Sequence, residues 1–197
     1  MKKIMFNDKN GLTQAVLEGR KTQTRRIIPK DFFSLTWDKR DDTLVYENSM
    51  GDFIDIRNSK YALCKAGEIV AVAQSYRDCG GVNEEGIPMW EIISSKVGGT
   101  NAGWSNKMFV RAELMPHYVI ITAVSVERLR DISDVDCMAE GIDYYEQEGF
   151  SWCSTEKLFD TPREAYAALI DKVSGKGTWD SNPYVFVYDF ELVKKWK

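Results

Sequence analysis

The sequence predicts a single domain of the α+β class, made mainly of β-strands that form a curved or closed antiparallel sheet with helices packed on its openings. About six or seven segments have the residue pattern of strands, and about three have that of helices. These segments do not alternate regularly, and there is no GxGxxG motif, which argues against a doubly wound nucleotide-binding fold. The length of 197 residues suits one domain of ordinary size.

The first elements lie near the start of the chain. Residues 3–6 predict a short strand, and apolar side chains recur at helical spacing in residues 12–16. Gly19 stands where a glycine commonly ends a helix. Residues 22–28 are then rich in the residue types of a strand, which Pro29 ends.

The middle of the chain predicts a hairpin, a strand and a long insertion. Residues 43–58 contain two β-rich runs joined by a Met-Gly-Asp turn. Residues 68–76, EIVAVAQSY, follow a turn and predict a strand. Residues 77–107 are rich in glycine and polar residues without a sustained period. Such a long segment in a compact domain is usually functional or poorly ordered.

The second half of the chain ends in a buried strand. Residues 118–132 alternate well enough to predict a strand, and a short helix follows that Ser133 is placed to cap. Residues 161–173 predict an amphipathic helix with proline in its first turn. Pro183 then interrupts the chain, and residues 184–192, YVFVYDFEL, are apolar enough to form a central strand.

The composition predicts a soluble, cytoplasmic protein that makes no membrane contact. The first residues lack the apolar stretch of a signal peptide, and no run of about 18 apolar residues occurs. The net charge of −4 argues against non-specific coating of nucleic acid, because that requires many unopposed phosphate contacts. A small pocket for one nucleotide is compatible with this charge.

The cysteines and the histidine predict neither a metal site nor a cofactor. The four cysteines are scattered without a C-x-x-C pair, so we expect reduced thiols and no structural zinc. His117 is the one histidine and follows a Met-Pro pair, where a turn or strand-end role is expected. With one histidine and no G-x-S-x-G motif, the sequence argues against a Ser-His-Asp hydrolase.

Charge is concentrated in two segments of opposite sign. The segment GRKTQTRR, residues 19–26, holds four cations and no acid, and residues 131–148 hold seven acids and no base. Each segment has an ordinary interpretation as a solvated surface. Together they also form a plausible complementary pair.

The segment LEGRKTQTRR matches the G-x-K-x-x-T-x-R signature of the ASCH domains, a branch of the PUA-like β-barrel superfamily. The segments VERLRDIS, AEGI and SNPYVFVYDFEL resemble a longer phage- and bacterium-associated subgroup of this family. The resemblance implies one PUA-like β-barrel domain with flanking helices over residues 1–197, with long insertions at about 77–107 and 141–178. The matching pieces are residues 1–30, 66–76, 108–142 and 182–193.

The resemblance also implies a function and a set of catalytic residues. ASCH domains are thought to bind RNA or modified nucleosides. Their best-understood bacterial members are amidohydrolases that remove the acetyl group of N4-acetylcytidine. The matching positions make Thr24 the nucleophile, Lys21 its base and Glu140 the proton carrier. The last of these matches requires LRDISDVDCMAEGI to align without a gap.

The residues themselves are compatible with amide hydrolysis. The positive charges around Lys21 lower the pKa of its amine, whereas an ion pair with Glu140 raises it, and the sequence leaves the balance open. Lys21 and Thr24 would face opposite sides of a regular strand, so they converge only if the chain turns just after Gly19 or if the pair straddles a bend. Nearby arginines are candidates for holding an oxyanion or a phosphate. The predicted substrate-binding residues are Arg20, Arg25 and Arg26.

Three functions remain open at this stage. The first is an amidohydrolase of N-acylated pyrimidine nucleosides, and the second is a non-catalytic module that binds RNA or a modified nucleotide. The third is an interaction protein that acts through its long insertions. The expected partner is a small nucleoside or RNA, and the oligomeric state is not predicted. Aromatic residues of the insertions are candidates for stacking on a base: Trp90, Trp104, Tyr144, Tyr145 and Trp152.

Overall fold

The computed structural model describes residues 1–29, 35–38, 43–80, 82–83, 85–98, 101–146, 148–153 and 157–193. Within these ranges the chain forms ten strands and five α-helices, so the predicted α+β class is confirmed. The strands are β1 Lys3–Ile4, β2 Gln23–Ile27, β3 Leu35–Asp38, β4 Thr43–Glu47, β5 Phe53–Asp55, β6 Ile69–Val72, β7 Tyr118–Arg128, β8 Asp143–Tyr145, β9 Gly149–Ser151 and β10 Tyr184–Val193. The helices are α1 Leu12–Leu17, α2 Met89–Val97, α3 Asp134–Ala139, α4 Pro162–Ser174 and α5 Thr178–Ser181.

Five strands form the main sheet in the order β1-β6-β7-β10-β2. The pair β1–β6 is parallel, and the other neighbours are antiparallel. The final strand β10 lies between β7 and β2, as its apolar sequence predicts for an interior strand. In the described part of the chain β1 and β2 are the edges of this sheet, so closure into a barrel stays a prediction.

The predicted hairpin of residues 43–58 is confirmed, because β4 pairs antiparallel with β5. Strand β3 pairs with the other side of β4 and extends this small sheet. This strand was not predicted from the sequence. The insertion of residues 77–107 contains helix α2 rather than only irregular chain. The insertion of residues 141–178 contains β8, β9 and α4.

Strand β6 separates two apolar cores. Val70 and Val72 pack into the main core with the helices α1 and α4, whereas Ala71 and Ala73 pack into a second, smaller core that includes Cys79 and Ile93 of the first insertion. Alternate side chains of a strand point to opposite faces, so one short apolar strand serves both cores. The insertion of residues 77–107 is therefore packed against the sheet.

The structure also shows the state of the cysteines and how apolar the helices are. The four cysteines form no disulfide, and those at positions 64, 79 and 137 are buried. Among the described residues, no helix is both long enough and apolar enough to cross a membrane.

Candidate active site

The ends of two helices bring Lys21 and Glu140 together. After helix α1, Gly19 takes a positive φ of 75°, and the amide groups of Arg20 and Lys21 both donate to the carbonyl of Ala15, at 2.9 and 3.0 Å. A glycine that ends a helix in this way reverses the chain. The predicted turn after Gly19 is therefore present, and Lys21 lies before the first residue of β2.

Helix α3 ends in the same manner. Ser133 caps its start, since the hydroxyl accepts from the amide of Asp136 at 3.1 Å. At its end Gly141 has a φ of 100°, and the amide of Ile142 donates to the carbonyl of Cys137 at 3.3 Å. This pattern places Glu140 in the last turn of the helix.

A backbone hydrogen bond joins the segments after the two helices. In it the Thr22 amide donates to the carbonyl of Ala139 at 2.9 Å. The Lys21 Nζ then donates to the carbonyl oxygens of Gln23 and Glu140, each at 2.8 Å, and to the Oε2 of Glu140. The lysine and glutamate side chains expose 1% and 6% of their surfaces. The structure thus brings these two predicted residues into a buried ion pair.

Thr24 lies on β2 opposite Tyr188 of β10. It is buried and contributes to the same cavity as Lys21 and Glu140. Strand alternation does not separate Lys21 from Thr24, because Lys21 precedes the strand. The Thr24 hydroxyl makes no hydrogen bond to another described residue.

The three predicted arginines have different surroundings. The buried Arg25 guanidinium donates to Glu127 Oε1 at 2.7 Å and approaches Glu140 Oε1 at 3.4 Å. Arg26 donates from one terminal nitrogen to a backbone carbonyl at 2.6 Å and lines the cavity. Arg20 is exposed, forms an ion pair with Asp143 at 2.5 Å, and does not line the cavity.

The cavity has a volume of about 280 Å³. One wall is a face of helix α4, whose residues recur at helical spacing. The opposite side is formed by β2 and by the loop after β1. Its lining combines the charged group with a larger apolar surface: Phe6, Asn7, Leu12, Lys21, Thr24, Arg25, Arg26, Ile27, Glu140, Tyr166, Leu169, Ile170, Val173 and Ser174.

The first insertion supports one side of this cavity. The Lys107 Nζ donates to the backbone carbonyl of Phe6 and pairs with Asp8 at 2.7 Å. Both partners belong to the loop between β1 and α1, and Phe6 lines the cavity. The insertion therefore fixes the position of a wall residue without entering the cavity itself.

Burial and charge determine how the cavity groups titrate. Burial lowers the pKa of Lys21, and the charges of Arg26 and Arg25 act in the same direction, whereas the carboxylate of Glu140 opposes the shift. Burial also lowers the pKa of Arg26. For Arg25 burial favours a lower pKa, but Glu140 and Glu127 outweigh it and raise the value. The sequence left the direction of this shift open. In the structure the pKa of Lys21 is lowered, so this lysine loses its proton more easily than an ordinary lysine.

Sequence reasoning missed the contribution of α4. The spacing of positions 166, 169, 170 and 173 is typical of the core face of an amphipathic helix. Among these residues, only Tyr166 has a polar group, its hydroxyl, that indicates another role. The aromatic candidates of the insertions do not line the cavity: Trp90, Trp104, Tyr144, Tyr145 and Trp152. Among the described residues no three His, Cys, Asp or Glu side chains gather as a metal site requires.

Comparison with known proteins gives one structural similarity. No protein-family profile matches the chain, and no curated protein matches it. The chain is similar to the crystal structure of protein EF3133 from Enterococcus faecalis V583, described with the family name DUF984. The two are 14% identical with a TM-score of 0.41, over 98% of this chain and 80% of the other. A similarity at this level assigns neither a family nor a function.

Proposed function

We propose that this protein is an ASCH-type amidohydrolase that removes the acyl group from an N-acylated pyrimidine nucleoside of the N4-acetylcytidine kind. The observation that carries the proposal is the meeting of an amine, an alcohol and a carboxylate in one cavity, supplied by Lys21, Thr24 and Glu140. The cavity volume of about 280 Å³ suits a nucleobase with a small acyl group better than a strand of nucleic acid.

The proposed reaction has two stages. Neutral Lys21 accepts the proton of the Thr24 hydroxyl while the oxygen attacks the acyl carbon. The C–N bond then breaks, and the amine of the nucleobase leaves with the proton returned by Lys21. Water hydrolyses the resulting Thr24 ester and releases the carboxylic acid.

Two neighbouring groups assist these stages. Glu140 holds the Lys21 amine in place and carries protons between it and the leaving group. Arg25 acts indirectly, because it is engaged by Glu127 and positions the carboxylate of Glu140.

The primary test follows the ultraviolet absorbance of N4-acetylcytidine in the presence of the purified protein. We expect the acetylated chromophore to disappear and cytidine and acetate to accumulate in equal amounts. The Arg20→Ala variant is the matched control, because it removes a cation outside the cavity and should retain the wild-type rate. Absence of turnover by the wild-type protein would contradict the proposed reaction.

The pH dependence of the reaction follows from the lowered pKa of Lys21. A base acts only without its proton, so kcat/KM is expected to rise about tenfold per pH unit on the acidic side. The rise should level off below pH 10.5, the ordinary pKa of lysine. Lys21→Arg should lose this ascending limb together with activity, because a guanidinium does not give up its proton. A rate that stays flat across this range would exclude Lys21 as the base.

A second candidate is a non-catalytic module that binds a modified nucleotide or RNA. It is favoured by the fact that all three N–H groups of the Lys21 ammonium already donate to protein oxygens, so that none remains for Thr24. In this case wild-type protein would bind RNA without turnover, affinity would fall as salt rises, and Arg26→Ala would weaken binding.

A further inference from the structure

The side chain of Tyr166 has a polar group that no protein atom satisfies. This residue lies on α4, exposes 2% of its surface and lines the cavity. Its ring packs edge-on against Trp179, with 6.2 Å between ring centroids. Its hydroxyl has no hydrogen-bond partner among the described residues. A buried hydroxyl without a partner is costly, so its retention in a cavity wall requires an explanation.

A second unpartnered donor lines the same cavity. The Nε of Arg26 is buried and makes no hydrogen bond to any described residue, although a terminal nitrogen of the same guanidinium donates to the carbonyl of Met5. The guanidinium carbon of Arg26 lies 5.8 Å from the centre of the Phe6 ring, which restricts its orientation. Within the described ranges, the other two unpartnered buried side-chain groups, on Ser151 and Trp152, do not line the cavity.

The chemistry of these two groups defines what they bind. The Nε–H of an arginine only donates, and a tyrosine hydroxyl donates as long as it is protonated. Burial, reinforced by the negative charge of Glu140, raises the pKa of Tyr166 well above its ordinary value. Both groups can therefore donate, and a ligand edge that carries two acceptors satisfies both of them. Apart from Ser174, the remaining lining of the α4 face is apolar and suits the faces of a flat ring.

We infer that Tyr166 and Arg26 form a pair of donors that recognises the acceptor edge of an N4-acylated cytosine, Tyr166 at the 2-oxo group and Arg26 at the adjacent ring nitrogen. The identity of the ring rests on the proposed function. Tyr166 is then a residue of substrate specificity that contacts the base. The Lys21, Thr24 and Glu140 group acts on the acyl amide.

The test compares Tyr166→Phe with Tyr76→Phe. The first change removes an unpartnered hydroxyl in the cavity, whereas the second removes a buried hydroxyl that accepts from the Arg111 amide at 2.9 Å, outside the cavity. Binding is measured in a Thr24→Val background, so that turnover does not interfere. The probes are N4-acetylcytidine and 4-acetamidopyrimidine, which keeps the acyl amide and both ring nitrogens but has neither the 2-oxo group nor the ribose.

Tyr166→Phe is expected to weaken N4-acetylcytidine binding about tenfold and to leave the affinity for 4-acetamidopyrimidine within about twofold. The melting temperature of the ligand-free protein should stay the same or rise, because an unsatisfied hydroxyl is removed. Tyr76→Phe should show the reverse pattern, a lower melting temperature with unchanged binding. This contrast separates ligand contact from a structural role.

The outcomes distinguish this inference from the proposed reaction. Unchanged binding of N4-acetylcytidine by Tyr166→Phe, or an equal loss for both probes, overturns the inference even if the enzyme is active. Binding by the wild-type protein without turnover, together with a selective loss in Tyr166→Phe, overturns the reaction and supports the inference. Failure of the wild-type protein to bind N4-acetylcytidine overturns the inference together with the substrate class.

Discussion

Replacing Glu140 with glutamine is expected to lower the free energy of unfolding by about 3–5 kcal/mol. The carboxylate is buried and neutralises the Lys21 ammonium, and it also faces the Arg25 guanidinium at 3.4 Å. Removal of its charge leaves a lysine in a low-dielectric interior without its counter-ion. The amide of glutamine replaces the shape and the hydrogen-bond acceptor but not the charge. Urea unfolding of the two proteins at neutral pH measures the difference.

Two further variants show whether charge is the cause. Adding Lys21→Met to Glu140→Gln removes the unpaired ammonium, so the double variant should be more stable than Glu140→Gln alone. Asp143→Asn breaks the exposed pair with Arg20 and should cost less than about 1 kcal/mol. A loss below about 1 kcal/mol for Glu140→Gln as well would mean that the folded protein holds Lys21 without its proton at neutral pH.

Replacing Thr24 with valine is expected to reduce kcat for N4-acetylcytidine by about 10³-fold or more. Valine keeps the branched shape of threonine but has no oxygen to attack the acyl carbon. The fold should tolerate the change, because the Thr24 hydroxyl makes no hydrogen bond within the described ranges and its removal leaves no protein group unpaired. Initial rates from the ultraviolet assay, together with thermal unfolding, measure the two effects separately.

Thr24→Ser is the matched control, because it restores a hydroxyl on the same strand position without the methyl group. We expect this variant to retain measurable turnover, and mass spectrometry of a quenched reaction should detect an acyl adduct on the wild-type protein. A valine variant that hydrolyses the substrate at the wild-type rate would remove Thr24 from the reaction. A wild-type protein and valine variant that are both inactive but bind the nucleoside equally would favour the binding module.

Local rules predicted most of the helices and strands. Gly19 and Ser133 mark a helix end and a helix start through backbone geometry that involves only neighbouring residues, and both predictions are confirmed. The apolar run of β10 predicts an interior strand because its sequence must be buried on both faces. Helix α2 was missed, since the polar and glycine-rich residues around it conceal a helical segment of nine residues.

The candidate site was less accessible to sequence reasoning. The meeting of Lys21 with Glu140 depends on how two helix ends pack, and the resemblance of motifs rather than any local pattern placed them together. Arg20 and Arg26 are six positions apart and carry the same charge, but only Arg26 lines the cavity, whereas Arg20 is exposed and pairs with Glu18 and Asp143. Tyr166 was missed since its spacing on α4 matches that of core residues, and an unsatisfied hydroxyl is visible only in three dimensions.

The order of strands in the main sheet determines when the pocket is assembled during translation. In the part of the chain that the structure describes, β2 forms its ladder with β10 alone. Lys21 and Thr24 are synthesised early. Strand β2, which contains Thr24 and follows Lys21, has no β-partner until residues 184–193 leave the ribosome. Contacts this distant in sequence also slow folding. The wall of the cavity that β2 forms is therefore completed only after residues 184–193 have been synthesised, long after Thr24.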